Sequence, residues 1–241
     1  MPPTQDKPLA LITGAAKRVG RAIATRLHHA GYAIAFTYLT SDTEAGLLAR
    51  ELDALPIRAD LTHPEEAVKH IAKELSAHAT RLHVLVNNAS LYEPSSLHTF
   101  TLAQTRRLFA IHVETPALLA RAFEPHLRQS RGHIINMSDL LAQRPWPEYL
   151  MYTTTKAALS TLTLGLARAL APEVTVNAIA PGVVEWPDNY PQEERNKYLK
   201  RVPLARPGTP EDVANLVHFL CTEGSYITGQ ILPLDGGRSV T

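Results

Sequence analysis

Short apolar, β-branched runs alternate along the chain with longer segments whose apolar positions recur at helical spacing. This is the pattern of a parallel sheet covered by helices on both faces. The runs that read as strands are 9–13, 33–38, 55–59, 83–87, 133–136, 174–179 and 230–234. One helical segment covers about 19–30, with Val19, Ile23 and Leu27 on one face, and stops at Gly31, which suits a left-handed cap. Another covers 149–171, where Leu159, Leu162, Leu166, Ala169 and Leu170 form an apolar stripe that ends before Pro172. Between 181 and 210 the rhythm is lost in prolines, interleaved charges and Trp186. That stretch far exceeds a connector of about 2–6 residues, so 182–209 reads as a substrate loop or lid. The pattern predicts an α/β fold: one Rossmann-like domain over 1–241, a doubly wound parallel sheet of about seven strands with helices on both faces.

Composition narrows the function classes. At 241 residues and 45% hydrophobic content the chain can bury a sizeable core. Lys and Arg number 24 against 23 for Asp and Glu, and no block of like charges could track a phosphate backbone or an anionic bilayer. Nucleic acid and membrane are therefore not expected as partners, and no apolar stretch approaches the roughly 20 residues of a membrane span. Cys221 is the single cysteine, which excludes an intramolecular disulfide framework, and the opening residues lack a secretory apolar region. The expected location is cytoplasmic. Cys221 lies in an apolar helical run and reads as a core residue, and the histidines lack metal-ligand spacing, so no metal site is expected.

The candidate chemistry sits at strand ends. Thr13-Gly14-Ala15-Ala16-Lys17-Arg18-Val19-Gly20 occupies the turn from the first strand into the first helix. Glycine there lets backbone approach a pyrophosphate, and the helix N-terminus offers unpaired N–H groups. A glycine turn of this kind is also ordinary packing punctuation. Asp60-Leu61 and Asn87-Asn88-Ala89-Ser90 follow the third and fourth strands, at the ends where doubly wound sheets bind ligands. After the second strand, where an acid would hold a ribose 2′-hydroxyl, stand Tyr38-Leu39-Thr40-Ser41. Lys17 and Arg18 instead place cations beside the phosphate turn, which favours NADP(H) over NAD.

Tyr152 and Lys156 lie one helical turn apart. A phenol is a poor proton donor at neutral pH unless a nearby ammonium stabilises its phenolate. Such a pair is common on exposed helices, but Asp139, ending the fifth strand, is brought toward the same cleft.

With these motifs in order, followed by Asn177-Ala178-Ile179-Ala180-Pro181-Gly182, Arg206 through Asp212 and the terminal Asp235-Gly236-Gly237, the chain resembles the short-chain dehydrogenase/reductase family over essentially its full length. Three positions depart from that pattern. Arg18 stands at the usual middle glycine, Ser90 follows Asn-Asn-Ala where glycine is usual, and Asp139 stands at the usual serine. Together they resemble the pteridine reductase branch and its bacterial dihydromonapterin reductases, which reduce pterins with NADPH.

The substitution has a physical reading. A carboxylate at 139 would repel the alkoxide that forms in ketone reduction. Reduction of a C=N bond instead needs a proton at nitrogen, where an acid is useful. The resemblance implies Tyr152 as proton donor, Lys156 holding the nicotinamide ribose and tuning the phenol, and Asp139 supporting proton delivery. It implies NADPH held by Gly14, Lys17, Arg18, Val19, Gly20, Tyr38, Thr40, Ser41, Asp60, Leu61, Asn88, Ala89, Ser90, Lys156, Pro181 and Gly182. The substrate, a dihydropterin such as dihydromonapterin or dihydrobiopterin, or dihydrofolate, would meet Arg18, Ser90, Tyr92, Asp139, Tyr152 and Trp186, with Tyr92 stacked on its ring. Met151 and Tyr190 are further wall candidates. His112 replaces the asparagine that organises a water chain in the family, and a homotetramer is the usual assembly. The alternatives are a reductase of a ketone or 3-oxoacyl thioester, and a dinucleotide sensor without turnover.

Overall fold

Successive residues of a strand point to opposite faces of its sheet, and here each face closes its own core. The computed structural model describes residues 7–77, 81–186 and 190–241. The opening residues 1–6 and positions 187–189 of the proline-rich stretch lie outside the described residues. The strands are β1 (Leu9–Ile12), β2 (Ala33–Tyr38), β3 (Leu55–Arg58), β4 (Val84–Asn87), β5 (His133–Met137), β6 (Thr175–Pro181) and β7 (Ile231–Leu234). They form one seven-stranded sheet in the order β3-β2-β1-β4-β5-β6-β7, every pairing parallel. The helices are α1 (Arg18–His29), α2 (Asp42–Leu52), α3 (Pro64–Ser76), α4 (Leu102–Phe109), α5 (Thr115–Ser130), α6 (Leu150–Leu170), α7 (Gln192–Leu199) and α8 (Pro210–Thr222).

On one face, Ala10, Ile12, Ile34, Phe36, Val84, Val86 and Ile135 pack against Ile23 and Leu27 of α1, Leu48 of α2 and Val213, Val217 and Cys221 of α8. On the other, Leu9, Leu11, Ile57, Leu85, Ile134 and Val176 meet Ile71 and Leu75 of α3, Leu119, Phe123 and Leu127 of α5 and Leu170 of α6. Cys221 is accordingly a core residue, its thiol pushed up to about 12 by burial.

Strand ends differ from the sequence expectation by a residue or two, which moves no side chain to the other face. Two differences are larger. The 182–209 stretch is not irregular throughout, since α7 forms within it although it buries none of its residues. The second is a π-helical turn, Ala110–Glu114, between α4 and α5, which helical periodicity does not anticipate. Pro116 in the first turn of α5 supplies a cause, since it has no N–H to offer the carbonyl of His112 four residues back. At the start of α8, Thr209 and Asp212 form a reciprocal capping box and Pro210 opens the helix.

Because the crossing point of the topology lies between β1 and β4, the C-terminal ends of those strands diverge into a crevice. Phe36 of β2 is wholly buried in the core on the α1/α2 side of the sheet. Phe36→Ala should lower unfolding free energy by about 3–5 kcal/mol. In urea titration this reads as a lower midpoint at unchanged slope, and a midpoint equal to wild type would mean that the cavity collapses.

Candidate active site

The first turn of the crevice is fixed by Thr13 and Asn88. Thr13 Oγ1 accepts the backbone N–H groups of Asn88 and Ala89 at 2.9 and 3.0 Å, and Asn88 Nδ2 donates to the carbonyls of Thr13 and Gly14 at 2.9 and 3.1 Å. Gly14 has φ +65°, and a Cβ on it would lie 2.9 Å from the Cα of Ala89. Gly20 is as constrained: its Cβ would lie 2.5 Å from the carbonyl oxygen of Gly14. The two glycines therefore let turn and helix close on the β4 loop. Lys17 is the N-cap of α1 and gives no side-chain cap, so the first N–H groups of the helix are left for another acceptor.

The cations beside this turn are paired within the chain. Lys17 Nζ meets Glu44 of α2 at 2.6 Å, and Arg18 is ion-paired with Glu185 on the strand exit of β6. Arg18 has φ +54°, a backbone conformation that glycine adopts at least cost. Thus the backbone keeps a glycine-like geometry while the side chain supplies a charge. Val19 packs partly on the α1/α2 core, as does Tyr38 at the end of β2. Thr40 is exposed, and Ser41 is the N-cap of α2 without a side-chain cap bond. Asp60 accepts the N–H and hydroxyl of Thr62 at 2.9 and 2.7 Å, bonds that hold its carboxyl below the usual range. Leu61 is buried, and its carbonyl accepts from Thr115 at 2.9 Å. Pro181 ends β6, and the Gly182 N–H donates to Leu234 at 3.0 Å.

Beyond the β5 end, Asp139, Tyr152 and Lys156 come together. The Tyr152 hydroxyl donates to Asp139 Oδ2 at 2.6 Å, while Asp139 Oδ1 accepts the Leu141 N–H at 2.8 Å. Lys156 Nζ donates to the Met137 carbonyl at 2.7 Å and lies 5.7 Å from the centroid of the Tyr152 ring. Tyr152 and Lys156 are both buried. Burial dominates all three titrations. It raises Asp139 above the usual carboxylate range against the bond from Tyr152, and raises the phenol further with help from Asp139. It lowers Lys156 to about 8. The phenol is thus held protonated, with its hydrogen directed at a carboxyl. Ser138 turns the other way, its Oγ 2.8 Å from that of Ser160.

The walls include residues that sequence reasoning missed. Tyr92 is 46% exposed, stacks on Tyr149 at 4.3 Å and 15° between planes, and stands edge-on to Tyr152 at 4.9 Å. Tyr149 is the N-cap of α6, three residues before Tyr152, an i, i+3 signal that was available in the sequence. Ser95, wholly buried, joins the two loops: it accepts from Leu150 at 3.0 Å, donates to Glu148 at 2.7 Å, and its Oγ caps the Met151 N–H at 3.1 Å. Met151 packs beside Tyr152. A buried ladder runs from Asn87 Nδ2 to Asn136 at 2.8 Å and from Asn136 Nδ2 to Thr163 at 2.9 Å, tying the ends of β4 and β5 to α6. His112, in the π turn, bonds Ser90 and Thr155, each at 2.8 Å. Trp186 stacks on Tyr190 at 5.1 Å and meets Tyr198 of α7 edge-on at 5.5 Å.

A family model described as enoyl-(acyl carrier protein) reductase matches residues 14–239. The chain belongs to the short-chain dehydrogenase/reductase family. Among curated relatives, pteridine reductase 1 of Leishmania tarentolae is 32% identical over 97% of this chain and 97% of its own length. The 3-oxoacyl-(acyl-carrier-protein) reductase of Staphylococcus aureus is 34% identical over 95% and 96%, and dihydromonapterin reductase of Klebsiella pneumoniae is 33% identical over 97% and 97%. A blue fluorescent protein from a metagenomic library, solved in complex with NADPH, superposes with a TM-score of 0.90 at 31% identity, covering 98% of this chain and 99% of its own. Membership fixes the fold and the oxidoreductase class, while the relatives divide between pterin and acyl-thioester substrates.

The buried ammonium of Lys156 has a cost that follows its protonation. Its proton affinity is lower in the folded chain, so the charged form opposes folding below about pH 8, and the opposition fades as pH rises toward the ordinary lysine value of 10.5. Lys156→Met should therefore raise the thermal midpoint at pH 7, with the gain over wild type shrinking between pH 8 and 10. A gain that is absent at pH 7, or that grows with pH, would contradict this reading.

Proposed function

We propose that this chain is an NADPH-dependent reductase of a dihydropterin, forming the tetrahydro product by hydride transfer to the carbon of a C=N bond. The observation that carries the reading is the buried Asp139 carboxyl that accepts the Tyr152 hydroxyl at 2.6 Å. The crevice suits the cofactor. The uncapped N–H groups of α1 and the Lys17 and Arg18 cations match phosphates, and the close approach of Gly14 to Ala89 keeps the turn low. Lys17, Arg18 and Ser41 are the proposed contacts of the 2′-phosphate and pyrophosphate, and Lys156 of the nicotinamide ribose. NADPH, when bound, supplies the hydride.

The protein's part is the proton. Tyr152 gives its hydroxyl proton to the ring nitrogen, and the phenolate recovers one from the Asp139 carboxyl, which burial favours in its protonated form. Solvent then restores the proton on Asp139. Tyr92, backed by Tyr149, offers an aromatic face to a flat heterocycle beside the phenol. A 3-oxoacyl thioester fits less well: reduction of its carbonyl calls for a serine hydroxyl to donate to the forming alkoxide, and Ser138 Oγ is engaged with Ser160 and the Lys156 carbonyl.

Cofactor oxidation should be fastest with dihydromonapterin, dihydrobiopterin or dihydrofolate, slower with a 3-oxoacyl thioester, and slower with NADH than with NADPH. Preference for the thioester would overturn the substrate class. Tyr152→Phe should lower kcat by about 10²–10⁴ while leaving NADPH affinity nearly intact. Asp139→Ser should lower pterin turnover by about tenfold or more, and unchanged pterin kinetics in that variant would remove Asp139 from proton delivery.

A further inference from the structure

His112 is 1% exposed, and both of its ring nitrogens are engaged. Counting protons along its contacts fixes the direction of each bond. The Thr155 hydroxyl donates its one hydrogen to the carbonyl of Tyr152 at 2.7 Å, so toward His112 Nδ1, 2.8 Å away, Thr155 can only accept. Nδ1 therefore carries the ring proton. On the other side the Leu91 backbone N–H, which can only donate, points at Nε2 from 3.3 Å, so Nε2 presents its lone pair. These two observations are independent and give the same neutral tautomer. Burial, with the Lys156 ammonium nearby, opposes a second proton on the ring.

The Ser90 hydroxyl lies 2.8 Å from that same Nε2. Facing a lone pair, it must donate inward. Its single hydrogen is then used, and the lone pairs of Oγ are what remain for the cleft, where Ser90 is exposed. The same α4–α5 π turn that carries the ring inward makes this possible, since the turn contains His112 at its centre.

We propose that His112 is a positioning residue that fixes the Ser90 hydroxyl as a hydrogen-bond acceptor toward the cleft, so that the site selects a pteridine presenting an N–H donor to Ser90. The selectivity half rests on the pterin reading above; the polarity of Ser90 does not. An acceptor on the ligand at that place would face the Ser90 lone pairs, and Ser90 could turn its hydrogen outward only by abandoning Nε2.

Nitrogen NMR of the histidine rings in the wild-type protein at pH 7 tests the polarity without any ligand. The expected result is a neutral His112 protonated at Nδ1; an Nε2–H tautomer or an imidazolium overturns the proposal. Selectivity is read from the Kd values of three pteridines that exchange donor and acceptor at one ring position at a time, the 2-amino-4-oxo, 2,4-diamino and 2,4-dioxo forms. At least one exchange should change wild-type affinity, and His112→Asn, whose amide N–H can donate to Ser90, should shrink that discrimination by roughly tenfold. Ser90→Ala should shrink it similarly, and the double variant should lose no more than either alone. If His112→Asn weakens all three ligands by one common factor, the residue only supports the loop and the proposal fails. If wild type binds none of the three, the pterin reading fails instead, and the ring-proton measurement decides the Ser90 assignment by itself.

Discussion

The hydrogen bond between Tyr152 and Asp139 constrains the rest of the site, because two ionisable groups can be buried in contact only if the surrounding fold supplies their geometry. A phenol and a carboxyl removed from water lose hydration that no single bond restores, and the cost is tolerable where the groups remain uncharged or share a proton. Every neighbouring element helps to hold that state. Leu141 donates its N–H to the second carboxyl oxygen, the Asn87–Asn136–Thr163 ladder fixes α6 to the sheet, and Ser95 caps the helix on which the phenol rides. Lys156 is the exception, a buried cation whose proton is loosened by the same desolvation.

The α1 end of the crevice is built on a different principle. Its cations stand half exposed and already paired, Lys17 with Glu44 and Arg18 with Glu185. Exposed pairs of this kind contribute little to stability, roughly 0–1 kcal/mol each. An anionic ligand can therefore take over either cation with little loss to the fold. The positive φ of Arg18 adds backbone strain at the same residue. Buried polar contacts are thus gathered around Tyr152 and Asp139, and exposed ion pairs around Lys17 and Arg18.

Most of the fold was legible because it depends on period. Phe36 and Ile34 alternate with polar or opposite-facing neighbours, Val19, Ile23 and Leu27 recur at helical spacing, and a shift of a residue at a strand end leaves each of these on its face. The meeting of Asp139 with Tyr152 was legible too, since both lie at element ends that a parallel sheet brings to one edge. The π turn was not, because period-based reading continues a helix through His112, and the effect of Pro116 on a carbonyl four residues away is a matter of backbone bonding. Tyr149 lay within the helical segment read from the sequence; what periodicity does not encode is its stacking on Tyr92, a contact between distant segments. The pairing of Lys17 and Arg18 with acids of α2 and the β6 exit is a contact between distant segments, and no local pattern encodes it.

The direction of the Ser90 hydroxyl shows how far a buried neutral ring can govern an exposed group. Nothing in the identity of serine sets whether it gives or accepts a hydrogen bond; its hydrogen rotates to the best acceptor available. Here that acceptor is a nitrogen that burial keeps unprotonated and that Thr155, through its own commitment to the Tyr152 carbonyl, keeps in one tautomer. The chain of bonds begins at the backbone of the helix that carries the phenol and ends at the rim of the cleft. The buried phenol and the hydrogen-bond polarity of the rim are therefore anchored to the same turn of α6.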